Sequence, residues 1–167
     1  MKLFNRQTWC RLLRCLPPAM RGKARLANLI LRNDLDAKDV SVVDSQGLTY
    51  WVPSLREPIA FFLLIDGVYE PSTMNFLNKY LKPGSVFVDI GANIGLFTLP
   101  MAGRVGPSGS VIAIESSPSI LPYLKRNIST NKISNVRLEP FAAYEIDQEA
   151  LPFFEAASTS FGMGTIA

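Results

Sequence analysis

Val86-Phe-Val-Asp89-Ile-Gly91-Ala92-Asn93-Ile-Gly95-Leu-Phe-Thr98 is an apolar run closed by an aspartate and followed by a turn whose glycines lie four residues apart. An apolar strand that breaks into a glycine bend and then into helical spacing opens a βαβ unit. Gly91 lets the chain turn sharply and approach a ligand, and Gly95 lets the next helix start close against the strand. The alternation continues downstream, with strands predicted at Val111 to Glu115 and Val136 to Glu139. Between them lies a helix with Ser117 and Pro118 as cap and first residue, and Tyr123, Leu124 and Ile128 as its apolar side. Strand order 3-2-1 puts Val136 to Glu139 at an edge, where Pro140 is tolerated. The predicted fold is α/β, a Rossmann-like domain with an incomplete parallel sheet.

Three segments precede this unit. Residues 5 to 16 place Trp9, Leu12, Leu13 and Leu16 at helical spacing with Arg11 and Arg14 on the other side, and a second helix over about 20 to 32 carries Leu26, Leu29 and Ile30. Two β-rich runs from Val40 to Val52 flank Asp44 to Gly47 and predict a hairpin. Glu57 to Ile65 is a buried helix or strand that periodicity does not distinguish. Residues 71 to 81 form a further helix capped by Ser72, with Phe76, Leu77, Tyr80 and Leu81 on its apolar side. The expected division is a basic helical segment 1–38, a hairpin and helix 39–82, and a partial ligand-binding domain 83–167, ending in a loop from Ala156 to Ala167.

The bend narrows the ligand. A dinucleotide loop requires a second glycine between these two, to admit a pyrophosphate at the helix amino-terminus, and that glycine is absent. Asp89 precedes the bend, and its charge repels a pyrophosphate but suits an ammonium. S-adenosylmethionine carries an ammonium and a sulfonium and no phosphate. Glu115 ends the second strand, where a carboxylate can accept from both hydroxyls of a ribose. NAD enzymes use the same device, so this residue alone does not choose the cofactor.

Composition sets wider limits. The chain has 167 residues, 48% hydrophobic and 19% charged, enough for one domain with a core. Its longest apolar stretch, Pro58 to Ile65, is far too short to span a bilayer, and Arg11 and Arg14 interrupt any leader-like segment, so the expected compartment is the cytoplasm. Net charge is +3, yet eight basic residues precede the first acidic one, Asp34. This segment is expected to pack on the domain rather than to serve as a membrane- or nucleic-acid-binding arm. Cys10 and Cys15 have no histidine or second pair with which to form a zinc site.

The run from Asp66-Gly-Val-Tyr-Glu70 through Val-Asp89-Ile-Gly-Ala-Asn-Ile-Gly95, Ile-Ala-Ile-Glu115, Leu-Lys-Arg-Asn127 and Asn135-Val to Phe161-Gly-Met-Gly164 resembles the FkbM family of methyltransferases, over about residues 40 to 167. The resemblance implies a class I Rossmann-like methyltransferase domain that moves a methyl group from S-adenosylmethionine to an oxygen of a sugar, glycan or other small natural-product acceptor, with no metal. By position, Asp89, Gly91, Ala92, Asn93 and Gly95 would surround the methionine part and Glu115 would hold the ribose. Ser116 and Ala142 would lie near the adenine, while Tyr69 and Glu70 would either close over the cofactor or anchor a turn.

Two departures stand out. Pro100 falls inside the helix after the bend, where it removes a hydrogen bond to Leu96 and should kink the helix at a cost of roughly 3 kcal/mol unless the first turn is irregular. The family also continues past Phe-Gly-Met-Gly with a strand bearing Lys-x-Asp-x-Glu-Gly, which this sequence lacks, so the chain as given is expected to turn over weakly or not at all. A hydrophobic edge is accordingly expected along the first strand. Histidine is absent, so a general base must be a carboxylate, tyrosine or lysine, and no catalytic residue is assigned. The alternatives are a cofactor-binding module without turnover and a nicotinamide oxidoreductase, which the missing glycine disfavours.

Overall fold

The computed structural model describes residues 6–17 and 20–143, with the backbone of two short strands at 153–154 and 165–166. The chain opens with helices α1 (Arg6–Arg14) and α2 (Lys23–Leu31), and then forms the antiparallel hairpin β1 (Lys38–Val43) and β2 (Thr49–Ser54), with Val40 opposite Val52. Gly47 adopts φ +87°, and Asp44 Oδ1 accepts from the N–H groups of Gln46 and Leu48, so an aspartate turn closes the predicted hairpin.

The ambiguous segment is helix α3 (Pro58–Asp66). Its ends settle the choice. The Glu57 side chain accepts from Ala60 N–H, Pro58 sits where no donor is needed, and Gly67 closes the helix in the left-handed region. Helix α4 (Pro71–Tyr80) begins at Pro71 after Glu70, so Ser72 lies inside the first turn and is not the cap. It buries Met74, while Phe76 and Tyr80 are exposed and stack on each other at 4.6 Å.

The βα part has the predicted topology. Strands β3 (Val86–Ile90), β4 (Ser110–Ile114) and β5 (Val136–Glu139) form a parallel sheet in the order β3-β4-β5, so Pro140 comes directly after an edge strand. Helix α5 (Thr98–Val105) connects the first pair and α6 (Leu121–Thr130) the second. Pro100 does not kink α5. Turns fill residues 93–97, and the helix starts only at Thr98, so Pro100 stands in the first turn, where an N–H has no intrahelical partner anyway. Ser117 and Pro118 open a turn, not a helix: Ile120 and Leu121 donate to the Ser117 carbonyl, and α6 begins at Leu121. At the far end, β6 (Phe153–Phe154) pairs antiparallel with β7 (Thr165–Ile166), so the last residues are not all loop. The Phe161 to Gly164 motif lies outside the described residues.

The amino-terminal helices pack on the domain, α1 through Trp9, Leu13 and Leu16 of the predicted side, with Leu12 exposed, and α2 by a different face from the one predicted. Arg14 turns inward, and its guanidinium donates to the carbonyls of Val43 at the end of β1 and of Leu63 and Leu64 in the last turn of α3. In α2 the buried residues are Lys23, Ala27 and Leu31, while Leu12, Leu26 and Leu29 face outward. Lys23 is decisive: its Nζ lies 2.6 Å from Asp66 Oδ1 and 3.0 Å from the Leu16 carbonyl, joining α2 to α3. One cluster then runs from Leu13, Ala27 and Leu31 through Val42, Tyr50 and Val52 to Leu63, Ile94, Leu96 and Leu99, so the amino-terminal layer packs directly on the glycine bend.

Lys23→Met leaves the half-buried Asp66 carboxylate unpaired and should lower unfolding free energy by about 2 kcal/mol in urea denaturation, with the Lys23→Met/Asp66→Leu double variant recovering most of the loss. Val86, Val88 and Ile90 project from one face of β3 with exposures of 63%, 48% and 67%. The chain should therefore self-associate, and Val88→Lys/Ile90→Lys should shift sedimentation toward monomer without lowering the melting midpoint. A monomeric parent chain would contradict this.

Candidate functional site

The strand register determines where the two carboxylates stand. Asp89 lies opposite Ala113, and Glu115 is two residues beyond Ala113, so both project from the same face of the sheet at the carboxyl ends of neighbouring strands. Both are nearly buried, at 8% and 9% exposure. This is the arrangement expected from sequence, with one addition: each carboxylate is already engaged by the protein.

Glu115 spans the bend. Its Oε2 accepts from Asn93 N–H at 2.7 Å and its Oε1 from Ser117 N–H at 2.8 Å. Asn93 adopts φ +50°, a conformation that asparagine tolerates, and this turns its N–H toward the glutamate. The Gly91 and Ala92 N–H groups both donate to the Ile114 carbonyl, so the bend hangs from the end of β4 by three bonds.

Asp89 accepts from the Thr98 hydroxyl at 2.5 Å, and so meets the first residue of α5. Burial pushes its pKa up, opposed by the Thr98 hydroxyl and backbone N–H, while the Glu115 charge pushes it further up. The folded protein therefore holds the Asp89 proton more tightly than the unfolded chain does. This carboxyl favours folding at acid pH, and the benefit is lost as pH rises from the ordinary aspartate range through its raised value.

The glycines act differently. Gly91 has φ +76° with open space where a Cβ would stand. A Cβ on Gly95, at φ +96°, would lie 2.3 Å from Leu99 Cδ1 and 3.0 Å from Leu124 Cδ1, so Gly95 allows α5 and α6 to close around the bend. Gly91, exposed, and Asn93, half-buried, form the accessible part of the bend, whereas Ala92 is buried.

The remaining candidates surround it. The Tyr69 ring meets Phe97 edge-on at 5.5 Å, at the far end of the bend. Burial pushes the Tyr69 phenol upward, and a hydrogen bond to Glu70 adds to this. Glu70 itself is exposed, adopts φ +41° and accepts from the Thr73 hydroxyl, so it serves the start of α4. Ser116 and Ala142, both half-buried, come after β4 and β5 at the end of the sheet that holds Glu115. Sequence reasoning missed Thr98 and Asn127. Thr98 could have been found as the hydroxyl at the start of the helix after the bend, and Asn127 as an amide within the apolar stripe of Leu124 and Ile128.

Residues 70–157 match the TRM5/TYW2 methyltransferase domain, just over half of the sequence, and the chain belongs to that family. It is therefore a methyltransferase domain of the class whose cofactor is S-adenosylmethionine. FkbM, the family of the sequence resemblance, is not the one that matches. Among curated relatives, a protein-L-isoaspartate O-methyltransferase of Triticum aestivum is 24% identical over 134 residues, covering 77% of this chain and 58% of its own. A tRNA(Phe) (4-demethylwyosine(37)-C(7)) aminocarboxypropyltransferase of Methanocaldococcus jannaschii is 47% identical over 69 residues, covering 41% of this chain and 26% of its own. The chain thus spans less than two thirds of the length of either relative. The structure of P. horikoshii TYW2 in complex with MeSAdo aligns with a TM-score of 0.49 at 23% identity, covering 75% of this chain and 48% of that one.

Gly95→Ala should destabilise the protein by about 2 kcal/mol or more, because it adds a clash to an unfavourable φ, whereas Gly91→Ala bears only the backbone strain of about 1 kcal/mol. Urea midpoints of the two variants check the ranking, and equal losses would contradict the close packing of α5 and α6.

Proposed function

We propose that the bend and its two carboxylates hold S-adenosylmethionine, and that the domain directs its methyl group to an oxygen of a small-molecule or glycan acceptor, as in the FkbM family. The observation that carries the cofactor assignment is the geometry of Glu115. Each carboxylate oxygen has accepted one backbone N–H, which leaves one acceptor position on each for the paired hydroxyls of a ribose. Beside it, Gly91 offers an open surface where a side chain would otherwise stand.

When bound, the cofactor supplies a methyl group already activated by a sulfonium, so the protein has little covalent chemistry to perform. Its own residues bind and orient. Asp89 is a nearly buried carboxylate whose charge is disfavoured, and an arriving ammonium would relieve that cost. Asn93 and Gly91 line the approach to the methionine part, with Ser116 and Ala142 on the adenine side. Tyr69 closes the far end against Phe97. An acceptor hydroxyl must also be aligned and lose its proton. No described residue is assigned that task.

The oxygen acceptor is supported only by the resemblance of the Asp66-Gly-Val-Tyr-Glu70 segment and the Asp-Ile-Gly-Ala-Asn-Ile-Gly bend to the FkbM family. A second reading, an RNA acceptor, is supported by the Methanocaldococcus jannaschii relative, whose name places its action on tRNA(Phe). Incubation with S-adenosylmethionine labelled separately in the methyl and aminocarboxypropyl groups, against a glycan pool and total tRNA, distinguishes these acceptors. Cofactor binding without label transfer to either would favour a module without turnover.

The cofactor assignment has a direct check. Calorimetric titration should show the chain taking up S-adenosylhomocysteine in preference to NAD. Asp89→Asn should weaken that uptake by about tenfold or more while leaving the melting midpoint at pH 7 unchanged or raised, since it removes a buried charge. Preferential NAD binding would overturn the assignment.

A further inference from the structure

Asn127 is fully buried in α6, within the stripe that carries Leu124 and Ile128. Its amide makes three hydrogen bonds. Oδ1 accepts from Trp51 N–H at 2.6 Å, and Nδ2 donates to the Trp51 carbonyl at 3.1 Å and to the Ile94 carbonyl at 2.9 Å. One turn further on, Asn131 Oδ1 accepts from Thr49 N–H at 2.9 Å, and its Nδ2 donates to the Thr49 carbonyl at 2.7 Å and to the Asn127 carbonyl at 2.8 Å. The two amides thus act as a substitute strand along the edge of β2 that does not face β1. They differ in that Asn127, fully buried, reaches the bend, and Asn131, half-buried, does not.

Ile94 stands between Asn93 and Gly95, both in positive-φ conformations. The bend is therefore gripped at consecutive residues from opposite sides, Asn93 N–H by the Glu115 carboxylate and the Ile94 carbonyl by the Asn127 amide. We infer that Asn127 is a positioning residue for the cofactor: by tying the bend to the hairpin edge it holds the Asn93 N–H and the Glu115 carboxylate in the geometry that receives the ribose. This rests on the proposed assignment of the bend to S-adenosylmethionine. Its physical basis is pre-organisation, since a bend held in shape before binding loses less freedom when the ligand arrives. Without the amide, the buried Ile94 carbonyl and the half-buried Trp51 carbonyl lose their donor, and the bend can relieve the Ile94 carbonyl only by moving.

The test compares Asn127→Ala with Asn131→Ala in the full chain by two measurements. Amide hydrogen exchange of residues 92–96 without ligand reads the bend, with β4 amides as internal reference. Calorimetric titration with S-adenosylhomocysteine reads binding. Asn127→Ala should accelerate exchange in the bend by about tenfold or more while β4 protection is kept, and should weaken binding by a similar factor. Asn131→Ala, which cuts the hairpin contact one turn away, should leave both within about twofold. Unchanged bend exchange in Asn127→Ala, an equal effect of Asn131→Ala, or a loosened bend with unaltered affinity would each overturn the inference. If Asn127→Ala does not fold, Asn127→Ser provides the same comparison, and failure of both variants to fold would place Asn127 in the core alone and end the positioning role. Should the parent chain take up no S-adenosylhomocysteine, the cofactor assignment fails, while the exchange comparison still decides whether Asn127 sets the bend.

Discussion

Glu115 reaching across to the Asn93 N–H is the contact on which the arrangement of the domain depends. It joins the end of β4 to the bend that leaves β3, so the shape of the bend is set by a neighbouring strand and not by the bend alone. A carboxylate accepting two backbone N–H bonds is a strong combination, because the charge assists both bonds. The left-handed Asn93 and the glycines at positions 91 and 95 make it sterically possible. The path of the chain beyond the bend is then constrained: turns run to Phe97, Thr98 meets Asp89, and α5 starts where Pro100 falls in its first turn.

Asp89 shows the tension between folding and function. Its burial raises the cost of its charge, Glu115 adds to that cost, and only the two Thr98 donors offset it. A protein under pressure for stability alone would place a neutral side chain there. A carboxylate whose charge is disfavoured by burial is a natural receiver for a cation, and this is why the same residue is the one proposed to meet an ammonium.

The sheet, its order, the hairpin and the two strand-end carboxylates were legible in the sequence because each rests on local information: alternation, a turn residue, or position at the end of an apolar run. Helix starts were less legible. Ser72, Ser117 and Pro118 have the right residue types for caps, yet the backbone begins α4 sooner and inserts a turn before α6, and residue type alone does not count those turns. The face of α2 was misassigned, and the inward turn of Arg14 on α1 was not foreseen, for another reason. With leucines around most of a nine-residue helix, the buried side is chosen by partners far along the chain, Asp66 for Lys23 and the α3 carbonyls for Arg14. The same distance hid the site's supporting bonds, since Asn127 meets Ile94 across 33 residues and Trp51 across 76.

The register that puts Asp89 and Glu115 on one face of the sheet sends Val86, Val88 and Ile90 to the other, and the two faces have different fates. Beneath the carboxylates, Ala92, Ala113 and Leu124 close a small core, and the amino-terminal cluster extends through Ile94, Leu96 and Leu99 to pack against the bend. Among the described residues, the hydrogen bonds that anchor the bend come from β4, its Glu115 and α6, and the packing against it comes from α5, α6 and the hairpin layer. The face where Val88 and Ile90 stand exposed contributes none of these. The geometry of the bend is therefore independent of whatever that face meets, and a cofactor site could form on these residues while the opposite side of the sheet stays open to solvent.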